Sequence, residues 1–237
     1  MRVPASPAAE LGEFRSSGVS VIIPAHRDSA KLRRAMWSVA TTADLPFELI
    51  VALAPQSVAK NRNAGLDRAS QDVVAFLDDD VLLPAHWLSR LVEALAGARD
   101  LGAVSARLTF ADGRPQMRDA ALGGADGPAA TTIPGTCFVY SRRRVNDQRF
   151  DHRYRGSQWE DTDWVWHVHQ RGLRTVVCRD VHVVHEHQVG PKPHLEDNMR
   201  YFLGKWGRLP TVTECATIDR DELRAWSRPP IPGAVEQ

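Results

Sequence analysis

The sequence predicts an α/β fold in which a mostly parallel sheet is flanked by helices. Over the first half of the chain, short apolar runs alternate with segments whose apolar residues recur every three or four positions. This alternation is typical of parallel strands that are connected by helices. The chain has 237 residues, of which 43% are hydrophobic and 25% are charged, so it is long enough for one sizeable core.

The first strand and helix show the pattern most clearly. Residues 19–24 form an apolar run that ends at a proline, as expected for a buried strand that leads into a loop. Asp28 or Ser29 can cap the helix that follows. The pattern then repeats, with strands predicted at residues 47–54 and 72–78 and a helix at residues 58–69.

The second half contains a long irregular stretch. Residues 111–134 are rich in Gly, Ala, Asp and Pro and show little periodicity, which predicts a long loop. An amphipathic stripe from Trp87 to Leu95 predicts a helix before that loop. The other predicted elements are strands at residues 103–110, 136–141, 173–178 and 181–185 and helices at residues 160–171 and 195–206.

These elements divide the chain into three regions. We predict a flexible tail over residues 1–17, which are rich in Ala, Pro and Ser, and a single α/β domain over residues 18–190. A helical or irregular extension is predicted over residues 191–237, because the prolines near residue 230 should end any regular structure.

The amino-acid composition limits which cellular compartments and which classes of binding partner fit the protein. A net charge of +1 gives no overall field that would recruit nucleic acid or an acidic membrane. Cys137, Cys178 and Cys215 lack the spacing of a disulfide framework or a CxxC site, which favours packed thiols in a reducing compartment. The sequence shows no signal peptide and no apolar run long enough to span a bilayer. We therefore predict a cytoplasmic protein with no transmembrane segment and no nucleic-acid partner.

Three consecutive carboxylates, Asp78, Asp79 and Asp80, end the third predicted strand. Carboxylates so close together repel one another by several kcal/mol near a protein surface, so they need a counter-ion. Oxygen ligands suit Mg²⁺ or Mn²⁺, which complete their shells with water and substrate phosphates. The end of a parallel strand is also where α/β sheets bind ligands. This predicts a cation and a nucleoside diphosphate, with an acidic surface turn as the alternative.

Two later motifs are weak when taken alone. Glu160 and Asp161 open a predicted helix, where carboxylates can merely complement the helix dipole. His185 and His187 alternate along a predicted strand and so share one face, but a zinc site and an exposed histidine pair would look the same.

Together and in this order, these motifs resemble the inverting nucleotide-sugar glycosyltransferases of family 2, which have the GT-A fold. The resemblance covers about residues 19–187, so the predicted domain over residues 18–190 would be a GT-A glycosyltransferase domain. Its motifs are Arg62-Asn63-Ala64-Gly65, the strand that ends in Asp78-Asp79-Asp80, Phe150-Asp151, Glu160-Asp161 and Val184-His185-Glu186-His187.

The resemblance implies a role for each residue on the donor side. Asp78 and Asp80 would face the metal together with His185, with His187 beside it as the other candidate. Asp79 would hold the ribose hydroxyls or share the metal, and Arg62 would add positive charge against the phosphates. The nucleotide would lie against the loop formed by Pro24, Ala25, His26 and Arg27.

On the acceptor side, the resemblance implies that Asp161 is the general base and that Glu160 orients the base or the acceptor. Inversion by direct displacement needs one carboxylate to take the proton of the attacking hydroxyl. The predicted enzyme moves a sugar from a nucleoside-diphosphate sugar to a small-molecule, glycan or peptide acceptor. Alternatives are a retaining transferase, a nucleotidyltransferase or pyrophosphatase on the same fold, or an inactive module that binds nucleotide sugars.

One departure from the family pattern concerns the nucleotide base. After the second strand the family usually has an acidic residue, and this chain has Leu53-Ala54-Pro55-Gln56. The base is therefore held by main-chain groups or is not uracil. Two further expectations are weaker: the basic run Arg142, Arg143 and Arg144 is a solvated turn rather than an anion site, and Trp159 stacks on a sugar face.

Overall fold

A computed structural model describes residues 6–116, 122–123, 132–186, 192–211 and 214 of the chain. Its strands are β1 (Val19–Ala25), β2 (Phe47–Leu53), β3 (Val73–Leu77), β4 (Val81–Leu82), β5 (Leu101–Phe110), β6 (Leu122–Gly123), β7 (Cys137–Ser141) and β8 (Arg174–His185). Its helices are α1 (Pro7–Ser17), α2 (Ala30–Thr42), α3 (Val58–Leu66), α4 (Trp87–Gly97), α5 (Glu160–Gln170) and α6 (Leu195–Trp206).

The strands form one mixed sheet in the order β2-β1-β3-β7-β5-β8-β4, and β6 pairs with β8. β1 is parallel to both β2 and β3, with Val19 opposite Phe47 on one side and Val73 on the other. β7 runs antiparallel to β3 and β5, and β4 runs antiparallel to β8. The predicted α/β sheet flanked by helices is confirmed. The connection from β2 to β3 passes over β1, which opens a ligand-binding position where β1 and β3 end.

The core lies on both faces of the central strands. Every residue of β1 and β3 is buried, because helices cover both faces of a parallel sheet. An aromatic cluster around β3 and β7 fixes the start of α5, with Trp164 lying 4.9 Å from Tyr140 and 5.8 Å from Phe150 between ring centroids. Aromatic pairs at these distances add roughly 0.5–1.5 kcal/mol beyond their burial.

Local signals set several of the helix boundaries. The Ser29 hydroxyl accepts a hydrogen bond from the Leu32 N–H at 3.0 Å and so caps α2, as the sequence predicts. Ser57 does the same for α3 through the N–H of Lys60 at 3.4 Å. Both helices therefore begin directly after the loops that follow β1 and β2, at the ligand-binding edge of the sheet.

The N-terminal region differs from the sequence prediction. Residues 1–17 are predicted as a flexible tail, but residues 7–17 form helix α1, which packs on α4. Phe14 is completely buried, and Glu10 pairs with Arg144 at 2.8 Å. Tertiary packing of one aromatic side chain stabilises a helix whose own sequence gives almost no amphipathic signal.

The C-terminal half also departs from the prediction. Residues 173–178 and 181–185 are predicted as two strands, but they form the single strand β8, which shifts its register against β5 between Ala106 and Arg107. This bulge absorbs the residues that interrupt the apolar pattern. Within the predicted long loop, the structure describes β6 and a bridge between Thr109 and Pro115. Helix α6 has the predicted bounds.

The described part of the chain contains no helix that is both long enough and apolar enough to cross a membrane. Cys137 and Cys178 are buried free thiols, as expected for packed cysteines. Cys215, His187 and the proline-rich residues near 230 lie outside the described residues.

Candidate active site

The three carboxylates predicted from the sequence follow β3 directly. Residues 78–80 turn the chain from β3 into β4, and β4 pairs with β8 so that Val81 lies opposite His185. This pairing brings the imidazole of His185 beside Asp80, with Nε2 at 3.1 Å from Oδ1. One ligand atom each from Asp78, Asp80 and His185 lie within 4.8 Å of one another. We call these three residues the Asp-Asp-His cluster.

The Asp-Asp-His cluster fits a divalent cation that accepts oxygen and nitrogen ligands. Two carboxylates and one imidazole suit Mn²⁺ well, and the carboxylates also suit Mg²⁺. The second ring nitrogen of His185, Nδ1, contacts Oε1 of Gln116 at 3.0 Å, which leaves Nε2 facing the carboxylates. A ligating histidine is typically oriented in this way by a second residue on its other nitrogen. No sequence pattern indicates a role for Gln116, which lies in the irregular stretch after β5.

Positive groups partly offset the negative charge of the triplet. Lys31, in the first turn of α2, contacts Asp80 at 3.4 Å and the main-chain oxygen of Glu186. Burial raises the pKa of Asp80, but the hydrogen bond and charge of His185 outweigh burial and hold that pKa below its ordinary value. Burial, followed by repulsion from Asp78 and Asp80, raises the pKa of Asp79 to about 6, although the charge of Lys31 opposes the shift. The remaining negative charge of the three carboxylates therefore favours the binding of a cation.

Arg62 links the triplet to the second acidic motif. Its side chain is only 2% exposed, and Nη1 donates to Oε1 of Glu160 at 2.9 Å. Nη2 donates to the main-chain oxygen of Gly135 at 3.0 Å and lies 3.5 Å from Oδ1 of Asp78. The guanidinium group is enclosed by protein, and its contacts run to Glu160, Gly135 and Asp78.

Glu160 and Asp161 open α5 as the sequence predicts, but in different environments. Glu160 is buried, and its Oε2 atom has no hydrogen-bond partner among the described residues. Burial, followed by the charge of Asp161, raises the pKa of Glu160 although Arg62 opposes the shift. Asp161 is only half-buried, and its Oδ2 accepts from the Gly135 N–H at 2.9 Å. Asp161 is thus the member of the pair that a substrate can reach.

Known proteins match both the sequence and the fold. The family model described as glycosyl transferase family 2 matches residues 55–148, which include Arg62 and the aspartate triplet and end before Glu160. This part of the chain is therefore similar to glycosyl transferase family 2. Succinoglycan biosynthesis protein ExoM of Rhizobium meliloti (strain 1021) is 34% identical over 85 residues, which are 35% of this chain and 26% of that protein. The chain therefore spans about a quarter of this curated relative.

Solved structures share the GT-A fold of this domain. The structure of GalNAc-T7 with UDP, GalNAc and Mn²⁺ superposes with a TM-score of 0.60 at 14% identity, over 80% of this chain and 48% of that one. TarS residues 1–349 of S. aureus superpose with a TM-score of 0.55 at 18% identity, over 70% of this chain and 60% of that one. At these identities the likeness concerns the fold.

The structure gives a physical reason for each fixed residue of the family 2 motif Arg62-Asn63-Ala64-Gly65. Arg62 reaches Glu160, as described above. Asn63 makes two hydrogen bonds with the main chain of Phe150, at 2.8 and 3.0 Å, which hold the segment ahead of α5. Gly65 packs on β1, where an added Cβ atom would lie 2.3 Å from Ile22. The motif therefore joins α3 to the sheet and to the segment ahead of α5.

The nucleotide loop predicted at residues 24–27 lies at the end of β1. Pro24 and Ala25 are buried, whereas His26 and Arg27 are exposed. Asn61 supports this loop, because its Nδ2 donates to the main-chain oxygens of Ala25 and Ala54, both at 3.0 Å. Gln56, which stands near the usual acidic position of family 2, donates to Oδ1 of Asn61 at 2.7 Å.

The backbone that enters α5 is strained and is held by α6. Gln158 and Trp159 adopt positive φ angles of 83° and 72°, which cost about 1–3 kcal/mol each for residues other than glycine. Asn198 on α6 is buried and donates from Nδ2 to the main-chain oxygens of Arg155, Ser157 and Gln158 at 2.8–3.3 Å. A helix about 40 residues away thus fixes the direction in which α5 begins.

A buried ionic cluster docks α6 on the domain. Lys205 contacts the carboxylates of Asp163 at 2.8 Å and Asp151 at 3.1 Å. Asp163 also accepts from the hydroxyl of Tyr154 at 3.1 Å and the indole N–H of Trp206 at 2.8 Å. These contacts attach α6 to the segment ahead of α5 and to α5 itself.

The structure shows contacts within the protein for Trp159 and for the basic run, the two weaker expectations from the sequence. Trp159 is 4% exposed and lies 5.0 Å from Phe202 between ring centroids, so it packs in the core and does not offer a face to a sugar. Each residue of the basic run has an acidic partner: Arg142 pairs with Asp147, Arg143 with Glu13 and Asp72, and Arg144 with Glu10. The run therefore joins α1 and the turn after β7 to the sheet.

Proposed function

We propose that the protein is a metal-dependent glycosyltransferase that moves a sugar from a nucleoside-diphosphate sugar to an acceptor hydroxyl with inversion. The observation that carries the proposal is the single side chain of Arg62, which contacts Asp78 of the Asp-Asp-His cluster and Glu160 beside Asp161. A cation-binding group and a reachable carboxylate therefore belong to one site, as a displacement with one general base requires.

Asp78, Asp80 and His185 would hold the cation, for which Mn²⁺ and Mg²⁺ are the candidates. A cation bound there would stabilise the negative charge of the leaving nucleoside diphosphate. The GalNAc-T7 structure of the same fold contains UDP and Mn²⁺, which supports this choice of donor and ion. Lys31 adds a fixed positive charge on the same side, at the N-terminal turn of α2.

The nucleotide would lie across the ends of β1 and β3. His26 and Arg27 are exposed there, Pro24 and Ala25 shape the backbone, and Asp79 is available for the ribose hydroxyls. The base subsite has Gln56 and main-chain groups in place of a carboxylate. A neutral subsite of this kind leaves the choice between uracil and another base to be measured.

Asp161 would take the proton of the acceptor hydroxyl while that oxygen attacks the anomeric carbon and the bond to the diphosphate breaks. Glu160, held by Arg62, would keep Asp161 and the start of α5 in place. The acceptor is a small molecule, a glycan or a peptide. A glycan is the first class to test, because the relative from Rhizobium meliloti is named for succinoglycan biosynthesis.

The test begins with a thermal-shift panel of nucleoside diphosphates and nucleotide sugars, with and without Mn²⁺, and continues with Asp161→Asn. We expect Mn²⁺-dependent binding of one base, and a turnover that falls roughly 10²–10⁴-fold in the variant while donor affinity stays the same. The exposed Asp147→Asn variant is the matched control and should keep full turnover.

Other results would redirect the assignment. Lost donor affinity with normal turnover would make Asp161 a binding residue. Release of pyrophosphate or of a nucleoside monophosphate would indicate nucleotidyl transfer or hydrolysis, and a product with the donor's anomeric configuration would indicate a retaining enzyme. Failure of every nucleotide to bind in the presence of Mn²⁺ would contradict the proposed function altogether.

A further inference from the structure

Residues 135–136, which we call the connecting segment, lie between the two acidic motifs. The Gly135 N–H donates to Oδ2 of Asp161 at 2.9 Å, and the Gly135 carbonyl accepts from Arg62 at 3.0 Å. The next carbonyl, that of Thr136, accepts from the Asp78 N–H at 2.8 Å. Two consecutive residues thus contact both the residue proposed as a cation ligand and the residue proposed as the base.

Arg62 holds the connecting segment from the other side. Its guanidinium group bonds Glu160, approaches Asp78 and lies 5.0 Å from the ring centroid of Phe150. The side chain cannot turn away without leaving the buried carboxylate of Glu160 unpaired, which is strongly unfavourable. The arrangement of Arg62, the connecting segment and Asp161 is therefore a single rigid unit.

Gly135 is the point at which this unit is closest packed. A Cβ atom added at residue 135 would lie 2.5 Å from Nη2 of Arg62 and 3.0 Å from both Cβ and Oδ2 of Asp161. Contacts below 3.0 Å do not occur at real Cβ atoms, so any side chain would displace Arg62 or Asp161. The approach of Arg62 to Asp161 depends on the absence of a side chain at this one position.

A second buried arginine shows what a purely structural role looks like in this fold. The Arg144 side chain is 9% exposed and donates to the main-chain oxygens of Leu95, Ala98 and Leu101. Its acidic partner, Glu10, is on α1. Arg144 therefore joins α1 and α4 to the sheet, whereas every charged partner of Arg62 belongs to the site.

We propose that Arg62 and Gly135 are positioning residues that hold the Asp161 carboxylate at a fixed place relative to Asp78. This inference rests on the proposed function, because it assigns to Asp161 the role of base. Arg62 does not contact the substrate. It acts through Glu160 and the connecting segment, so that the base meets the acceptor hydroxyl beside the donor held at Asp78. Misplacement of a reacting group by about 1 Å can cost roughly 10²-fold in rate.

The experiment compares Arg62→Lys with Arg144→Lys. The readout is the Mn²⁺-dependent release of nucleoside diphosphate from a panel of UDP-sugars and GDP-mannose, with water as acceptor, and Mn²⁺ binding is measured separately by calorimetry. For Arg62→Lys we expect turnover to fall about 10- to 100-fold, as for other residues that orient a reacting group. Its KM for the donor and its affinity for Mn²⁺ should change less than about threefold. Arg144→Lys should lower the Tm and leave turnover per folded molecule unchanged.

A double-variant cycle separates positioning from general damage. In the Asp161→Asn background there is no base left to position, so adding Arg62→Lys should produce no further loss of turnover. Fully additive losses, or weakened Mn²⁺ binding by Arg62→Lys alone, would overturn the inference and leave the proposed function standing. If wild-type protein releases no nucleoside diphosphate, or Asp161→Asn keeps full turnover, the proposed function fails and the inference fails with it.

Gly135→Ala gives a second route if Arg62→Lys does not fold. We expect the same loss of turnover with unchanged Mn²⁺ binding, because the new methyl group pushes on Arg62 and Asp161 where each of them contacts Gly135. Gly12→Ala is the matched control, since a Cβ atom there would meet no atom within 4 Å. Wild-type turnover in Gly135→Ala would contradict the inference.

Discussion

The proposed cation side of the site rests on the sheet, whereas the proposed base side rests on a loop that a distant helix holds in place. Asp78 and Asp80 follow a fully buried strand, and His185 ends a strand that pairs with the next one. Asp161 instead follows two residues with positive φ, and the loop carbonyls before it are bonded by Asn198 of α6.

This difference teaches that two parts of one proposed active site can differ in how stably the fold holds them. Backbone hydrogen bonds between paired strands place the cation ligands, and such ladders belong to the most stable part of a fold. The base side depends on a few side-chain contacts between α6 and the segment ahead of α5. We therefore expect changes in α6 to damage turnover before they damage cation or nucleotide binding.

The largest expected effect comes from removing the positive charge of Lys205, which pairs with Asp151 and Asp163 and docks α6 on the domain. In Lys205→Met the carboxylate of Asp163, which is 1% exposed, loses its lysine partner at 2.8 Å and keeps His167 at 3.7 Å. Removing one partner of a buried pair costs about 3–5 kcal/mol of unfolding free energy. Urea denaturation followed by tryptophan fluorescence should show this loss, with the exposed Lys60→Met as control. Equal stability of the two variants would mean that α6 does not depend on this cluster.

The substitution Asp80→Asn tests the proposed cation side of the site. The variant keeps the size of the side chain but loses the charge that faces His185 and Lys31. We expect Mn²⁺-dependent nucleotide binding, measured by calorimetry, to weaken by about 100-fold or more, since even residues that only orient a ligand cost 10- to 100-fold. The Tm should change little. Unchanged Mn²⁺ binding would remove Asp80 from the cation site.

A smaller effect, confined to the base side, is expected for Asn198→Ala. The substitution leaves three loop carbonyls without the amide that bonds them, which costs about 1–3 kcal/mol for groups that stay buried. The strained entry to α5 should then relax, and turnover should fall about tenfold at unchanged donor KM. A rise in donor KM with normal turnover would show that α6 supports the nucleotide instead.

The residues of the proposed cation side could be predicted from the sequence more completely than those of the proposed base side. The alternation of strands and helices and the charge at the end of β3 are local signals, so the sheet and the triplet were predictable. The alternation along a strand put His185 and His187 on one face, and the resemblance to family 2 then singled out His185. The strand β4 was missed, because two residues carry no periodic signal, and its pairing with β8 is what joins the triplet to His185.

The remaining parts of the site depend on contacts between residues far apart in the sequence. Arg62 and Glu160 are 98 positions apart, and nothing in either motif shows that they form a buried pair. Gly135 lies beside a proline in an irregular stretch and looks like an ordinary turn residue. Helix α1 was missed for the same reason, since its stability comes from burying Phe14 against the domain.

The smallest expected effect is a pH dependence that belongs to the base side alone. Asp151 faces Arg153, Tyr201 and Lys205, with Asp163 close by, and although burial opposes them, these hydrogen bonds hold the pKa of Asp151 below its ordinary value. A depressed pKa means that the ionised carboxylate stabilises the fold above its unfolded pKa of about 3.9. That stabilisation is lost as the pH falls through the folded pKa.

We therefore expect Asp151→Asn to be less stable than the wild type by a constant amount near neutral pH, and the gap to shrink below about pH 4. Urea unfolding of both proteins at pH 7, 5, 4 and 3 measures this gap directly. Because Asp151 contacts α6 and not the Asp-Asp-His cluster, Mn²⁺ binding at pH 7 should be the same in both proteins. A gap that stays constant down to pH 3 would mean that the charge of Asp151 contributes nothing to the docking of α6.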